Sequence, residues 1–125
     1  MNLFDAQADL PAFTRRLDTE HELLVACYCA AWCDTCGAYR NGFEALAPRW
    51  PQHVFVWIDI EENEVLLGDD EIDNFPTLLV QSARGNVFFG PMPPHAEQLD
   101  RLLKSVDANT PVIGAGPGAL RTLLD

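Results

Sequence analysis

The sequence predicts a mixed α/β domain in which helices cover both faces of a central sheet, and three observations support this. Apolar runs suited to buried strands alternate with stretches whose apolar residues recur at helical spacing. Two of these runs flank a Gly-Asn turn, a pattern typical of an antiparallel hairpin. The length of 125 residues is enough for one domain with a genuine core.

The first half of the chain is predicted to alternate between strand and helix. In chain order we predict a short strand at residues 3–4, a helix over 5–18, a buried strand over 22–29, a helix from 33 or 34 to 47, and a strand over 54–58. Pro11 is tolerated because it falls near the first turn of its helix. Pro48 and Pro51 end the second helix.

The second half is predicted to add a hairpin and a last core helix. The predicted elements are a short acidic helix over 62–72, a strand over 75–80, a turn over 82–86, a paired strand over 87–89 and a helix over 95–107. The acidic helix is expected to turn Val65, Leu66 and Ile72 toward the core.

The last residues differ in composition from the rest. Asn109-Thr110-Pro111 breaks the preceding helix, and a Gly-x-Gly-x-Gly stretch follows at 114–118. That stretch follows no strand of a βαβ unit, so we interpret it as a linker to a docking tail and not as a phosphate-binding loop. We therefore predict a domain over 1–108 and a C-terminal extension over 109–125 that includes a short helix.

The charge balance excludes several kinds of partner. Eight basic and nineteen acidic residues give a net charge of −11, which disfavours nucleic acids and anionic membrane surfaces. No apolar stretch approaches the ~18 residues of a membrane span. The first residues lack a basic segment followed by an apolar one, so we expect no secretory signal and a cytoplasmic localisation.

All four cysteines lie between residues 27 and 36, which indicates redox or metal chemistry and not a secreted fold stabilised by structural disulfides. The motif Trp32-Cys33-Asp34-Thr35-Cys36 follows a predicted buried strand and opens a predicted helix. The positive end of the helix dipole favours the thiolate of Cys33, the form that attacks disulfides. Cys36, one turn later, is placed to resolve a mixed disulfide. Asp34 beside Cys33 acts against the thiolate, and the net sign stays open.

The chain resembles the thioredoxin family over residues 3–108. The resemblance is carried by the Trp-Cys-x-x-Cys motif, by Ile58–Asn63, by Phe75-Pro76-Thr77 and by Gly90. It implies the thioredoxin fold, Cys33 as nucleophile, Cys36 as resolving thiol and Pro76 as a cis-proline. It also implies that Trp32, Phe75 and Pro76 contact substrate, with the Phe75 backbone pairing with an extended segment.

The sequence departs from the family pattern at several positions. Asp34 and Thr35 replace the usual Gly-Pro between the cysteines, so these two residues are expected to tune the redox potential. Cys27 stands where the family has a buried aspartate, and it is therefore expected to tune the couple as well. Trp57 stands where the family has a lysine, and Cys29 where it has a tryptophan. The resemblance is therefore to a divergent member.

Cys27 and Cys29 are two residues apart on one strand and share a face beneath the active-site helix. Three interpretations stay open: they are small buried apolar residues, they take part in exchange (for example through transient Cys27–Cys36 pairing), or they bind metal. Four sulfurs would suffice for zinc or an iron–sulfur cluster, although a strand and a helix start rarely converge four thiolates.

We predict a protein thiol–disulfide oxidoreductase that uses a Cys33/Cys36 couple, needs no cofactor and acts as a monomer on protein disulfides. The resemblance suggests a thioredoxin reductase as electron donor. One alternative is a non-catalytic thioredoxin-like adaptor or redox sensor, and another is a four-cysteine metal-binding protein. The sequence does not distinguish a reductase from an oxidase or an isomerase.

Overall fold

A five-stranded mixed sheet forms the centre of the protein, for which the computed structural model describes residues 2–125. Its strands are β1 (Leu3–Asp5), β2 (Leu24–Cys29), β3 (Val54–Asp59), β4 (Thr77–Ser82) and β5 (Gly85–Pro91). They lie in the order β1-β3-β2-β4-β5; β1, β3 and β2 are parallel, and β4 and β5 form the antiparallel hairpin. The predicted mixed sheet is thereby confirmed.

Helices cover both faces of this sheet, as predicted. They are α1 (Leu10–Leu17), α2 (Asp34–Leu46), α3 (Ala96–Ser105) and α4 (Leu120–Leu123), with short 3₁₀ turns at Ala47–Arg49 and Glu64–Leu67. Helices α2 and α3 pack on one face, whereas α1, α4 and the second 3₁₀ turn pack on the other. No helix within residues 2–125 is long and apolar enough to cross a membrane.

Strand β2 is buried on both sides, which explains why its sequence is continuously apolar. Val25, Cys27 and Cys29 point toward α2 and α3. The alternate residues, including Ala26 and Tyr28, point toward α1 and α4. This alternation confirms that the two strand cysteines lie on the face beneath α2.

The predicted acidic helix over 62–72 is wrong. Only the 3₁₀ turn Glu64–Leu67 forms, and it ends at Gly68, whose φ of +60° lies in the left-handed region. Leu66 is fully buried, but Val65 is 57% exposed and Ile72 only half-buried. The turn is anchored at one point, where the Tyr28 hydroxyl donates a 2.7 Å hydrogen bond to the Leu66 carbonyl.

Helix α1 begins later than predicted, because a turn occupies the preceding residues. The Asp5 carboxylate accepts hydrogen bonds from the backbone N–H groups of Gln7 and Ala8, at 2.9 and 3.1 Å. This turn places the Asp5 side chain at the carboxyl end of the parallel strands, near the start of α2.

The C-terminal extension lies against the sheet. The Asn86 amide donates hydrogen bonds to the carbonyls of Ala115 and Pro117, at 2.9 and 2.8 Å. Gly116, between them, has a φ of +96°, and a Cβ there would lie 2.9 Å from the Phe89 ring. The Gly-rich stretch thus permits a close backbone approach to β5. The division at residue 108 stays a prediction.

Candidate functional site

The site lies where β2 ends and α2 begins. Cys33 is the N-cap residue of α2, with extended backbone angles, and its thiol is free and half-buried. Asp34 and Thr35 follow on the exposed first turn, and Cys36 is buried on the side that faces the sheet. The sequence places the motif correctly, since the chain enters the helix at Cys33 as predicted.

The cysteine pairing differs from the predicted Cys33/Cys36 couple. Cys36 forms a disulfide with Cys29, the last residue of β2, and their Cα atoms are 5.8 Å apart. Both side chains point into the layer between β2 and α2, whereas Cys33 caps the helix and is less buried. Cys29 is therefore not a plain buried thiol. The roles of Cys33 as nucleophile and Cys36 as resolving thiol stay predictions.

Cys27 lies directly behind this disulfide. Its Sγ is 3.8 Å from the Cys29 Sγ, and the residue is fully buried. Burial raises the pKa of the Cys27 thiol well above its usual range, and the positive charge of Arg40 offsets this only in part. Cys27 is therefore a neutral thiol.

A four-cysteine metal centre does not form. Within residues 2–125, no group of three or more Cys, His, Asp or Glu side chains is arranged to hold a metal ion. The physical reason is that Cys29 and Cys36 bond to each other, which removes two of the four sulfurs as ligands. The metal-binding alternative needs all four cysteines as thiolates, and in this arrangement only Cys27 and Cys33 are free.

An apolar rim borders Cys33. The Trp32 side chain is 67% exposed and stands edge-on to Phe75, with the ring centroids 5.6 Å apart. The Phe75–Pro76 peptide bond is cis, as the resemblance implies, and Pro76 is buried. The backbone N–H and C=O of Phe75 make no hydrogen bond to another residue of the described chain. They are free to pair with an incoming segment.

A polar cleft of about 210 Å³ opens on the other side of the motif and is lined by both Cys33 and Cys36. Arg40 lines it from α2; its guanidinium lies 5.0 Å above the Trp57 ring and donates a 2.8 Å hydrogen bond to Asp5. Burial acts to raise the pKa of the Asp5 carboxyl, but the hydrogen bonds from Arg40 and two backbone N–H groups outweigh it, and the pKa is lowered. The cleft thus holds a fixed ion pair beside the sulfurs.

Sequence reasoning missed Arg40 and Asp5. The available signal was the spacing of Arg40 four residues after Cys36, which puts both on one face of α2. Trp57 is mostly buried, and its ring lies beneath the guanidinium. Asp5 gave no signal, because it reaches the site only through the pairing of β1 with β3.

Comparison with known proteins is consistent with this geometry. The family model described as Thioredoxin matches residues 6–104. Among solved structures, Fasciola hepatica thioredoxin is 23% identical with a TM-score of 0.65, covering 84% of this chain and 98% of that one. A mutant thioredoxin from Halobacterium salinarum is 20% identical with a TM-score of 0.66, covering 90% of this chain and 94% of that one.

A third structure extends the same likeness. The germline-specific thioredoxin Deadhead of Drosophila melanogaster is 17% identical with a TM-score of 0.66, covering 78% of this chain and 93% of that one. At these identities the structural matches establish the fold. No curated protein sequence matches the chain.

Proposed function

Because this chain belongs to the thioredoxin family, we propose that it is a protein thiol–disulfide oxidoreductase in which Cys33 attacks and Cys36 resolves. The observation that carries the proposal is the free, half-buried Cys33 thiol at the N-terminus of α2, with the exposed Trp32 beside it. A helix N-terminus stabilises a thiolate, and an exposed apolar side chain next to it fits a protein substrate.

The proposed reaction begins from the reduced centre. The Cys33 thiolate attacks one sulfur of a substrate disulfide, forming a mixed disulfide and releasing the other substrate sulfur as a thiolate, which takes up a proton. Cys36 then loses its proton and attacks the Cys33 sulfur, forming the Cys33–Cys36 bond and releasing the second substrate thiol. The substrate gains two electrons and two protons, and a thioredoxin reductase is the proposed donor that restores the dithiol.

The rim explains how a substrate would be held. Trp32 and Phe75 offer apolar contact on one side of Cys33. The unpaired backbone of Phe75 would bond an extended substrate segment in the manner of an added strand. Asp34 and Thr35, exposed on the first turn of α2, are the proposed tuning residues. These features favour protein disulfides over small ones.

The test is covalent trapping. A Cys36→Ser variant combined with Cys29→Ser removes both buried partners, so a substrate captured by Cys33 is not released. We expect mixed disulfides that dithiothreitol cleaves, and none when Cys33→Ser is added as the matched control. Insulin reduction by the unaltered protein supplies the turnover readout.

The result also separates the enzyme from the adaptor. A folded protein that neither reduces insulin nor forms a Cys33 adduct would overturn the proposed function. The adaptor or redox sensor would then be favoured, since in the present pairing Cys33 stands without a free resolving partner at Cys36.

A further inference from the structure

Cys29, Cys33 and Cys36 lie where β2 ends and α2 begins. Cys36 is bonded to Cys29 across the layer between β2 and α2, yet it also lines the same cleft as Cys33. Cys33 and Cys36 are three residues apart, a spacing that brings side chains together on a helix. Cys36 therefore has two alternative partners, one on its own helix and one on the strand beneath.

We propose that Cys29 is a third redox thiol and that the disulfide of the oxidised protein moves between Cys33–Cys36 and Cys29–Cys36. This rests on the proposed function, since substrate turnover produces the Cys33–Cys36 bond. In the Cys29–Cys36 form Cys33 is a free thiol. The exchange therefore replaces a disulfide at Cys33 with a single thiol, while the protein keeps one disulfide.

The exchange balances without any outside reagent. The Cys29 thiol loses its proton and its sulfur attacks Cys36, forming the Cys29–Cys36 bond. The Cys33–Cys36 bond breaks, its electron pair stays on the Cys33 sulfur, and that sulfur takes up the proton that Cys29 released. One disulfide and one thiol are present before and after, so the step is neither an oxidation nor a reduction.

The surroundings of Cys29 differ from those of Cys33. Cys27 sits behind it with an Sγ–Sγ distance of 3.8 Å, close enough for a weak S–H contact to the Cys29 sulfur. Both strand cysteines are buried, whereas Cys33 is only half-buried. In the Cys29–Cys36 form the disulfide is therefore buried away from reductants in solution, and Cys33 faces them as a thiol.

Disulfide mapping tests this directly on the full chain. Chymotrypsin cleavage after Tyr28, Trp32 and Tyr39 releases one peptide with Cys29 (residues 29–32) and one with Cys33 and Cys36 (residues 33–39). The oxidised protein is labelled with iodoacetamide, quenched in acid and digested. A Cys29–Cys36 bond joins the two peptides and leaves Cys33 labelled, whereas a Cys33–Cys36 bond closes the second peptide on itself.

We expect both forms in the oxidised protein, in a ratio that does not change when the glutathione redox ratio changes, because their interconversion transfers no electrons. A Cys29→Ala variant should show only the closed peptide and an unlabelled Cys33. Cys27→Ala is the matched control and should behave as the unaltered protein does. Circular dichroism verifies that each variant is folded.

Two results would overturn the inference. The first is that the unaltered protein shows only one of the two disulfide pairings at every glutathione redox ratio. This measurement does not depend on the folding of any variant. The second is a ratio that follows the glutathione couple. Insulin reduction, measured in parallel, separates the two proposals. Turnover without exchange would overturn only the role of Cys29 as a third redox thiol. Exchange without turnover would overturn the proposed oxidoreductase activity.

Discussion

The indole of Trp32 stands almost perpendicular to the ring of Phe75, at an interplanar angle of 86°, although the two residues are far apart in the chain. Trp32 precedes the helix that Cys33 caps, and Phe75 precedes β4. The pair therefore links the two segments that would enclose a substrate beside the Cys33 thiol. An exposed tryptophan fixed against a second ring is held ready for contact without first losing much side-chain freedom.

The first prediction follows from this pair. Replacing Trp32 with Ala should lower kcat/KM for insulin reduction roughly five- to thirty-fold, as expected from about 1–2 kcal/mol of lost apolar contact. Turnover of hydroxyethyl disulfide, which is too small to reach both rings, should change little. Val65→Ala is the matched control, since Val65 is also apolar and 57% exposed but lies in a turn on the other face of the sheet. Equal losses for both substrates would argue against a docking role.

The second prediction concerns pH and His53. This histidine is buried and stacks on Trp50 with ring centroids 5.4 Å apart. Burial lowers the pKa of His53 below its usual value of 6.5, outweighing the opposite effect of Glu22. Below pH 6.5 the unfolded chain takes up a proton at this residue while the folded chain still does not. The free energy of unfolding therefore falls as the pH falls toward the folded-state pKa.

The His53→Phe variant, which keeps the stacking on Trp50, should lose less of its unfolding free energy between neutral pH and about pH 5, by at most about 1.4 kcal/mol per pH unit. Urea denaturation at several pH values measures the difference. Groups elsewhere titrate alike in both proteins and cancel in the comparison. Parallel curves would show that His53 titrates freely in the folded state.

The fold could be predicted because its signals are local. Apolar β2 and β3 are buried on both faces, and the N-cap position of Cys33 follows from where the apolar run stops and the helical pattern begins. The 62–72 segment differs from its prediction for the complementary reason. Its apolar residues suggest a helix, but only Leu66 is fully buried, whereas Leu67 and Ile72 pack against the core while partly exposed. Spacing alone does not show which apolar residues find a partner.

The pairing at the site could not be predicted in the same way. Whether Cys36 meets Cys33 or Cys29 depends on how α2 sits over the end of β2, which is a matter of packing between elements. Arg40 acquires its place only when β1 pairs with β3 and brings Asp5 to the same edge. Both features belong to the tertiary arrangement. The spacing of Arg40 and Cys36 puts them on one face of α2 but does not show what that face meets.

The third prediction concerns the C-terminal extension. Leu120 is fully buried, and its N–H donates a 3.2 Å hydrogen bond to the Gln81 side chain, whose amide in turn donates to the Gly118 carbonyl at 2.8 Å. Leu120→Ala should lower the free energy of unfolding by about 2–4 kcal/mol, the usual cost of a cavity at a buried leucine. Leu123→Ala, at a half-buried position on the same helix, should cost less. Urea denaturation of both variants checks this, and equal small effects would mean that the extension detaches readily.

The fourth prediction concerns Arg40, the one basic side chain that lines the cleft beside the sulfurs in the described chain. Its guanidinium is held by Asp5 at 2.8 Å and Glu44 at 3.1 Å, and its charge favours a thiolate nearby. Replacing Arg40 with Met keeps apolar contact with Trp57 but leaves the acidic side chains of the cleft unopposed. The rate of Cys33 alkylation by iodoacetamide in the reduced protein at neutral pH should fall, by roughly two- to fivefold for a partly screened charge.

The matched control for Arg40 is Arg121, which pairs with Asp18 and Asp125 on the far side of the molecule and whose side chain has the same 37% exposure. Arg121→Met removes one positive charge from the same net balance, so any general effect of a more negative protein appears in both variants. If the charge of Arg40 acts locally at the cleft, alkylation of Cys33 is slower in Arg40→Met but not in Arg121→Met. Since ion pairs exposed to solvent and screened by salt contribute little to folding, both variants should remain folded during the measurement. Equal rates for the two variants would show that the fixed ion pair beside the sulfurs positions α2 and leaves thiol reactivity to the helix N-terminus alone.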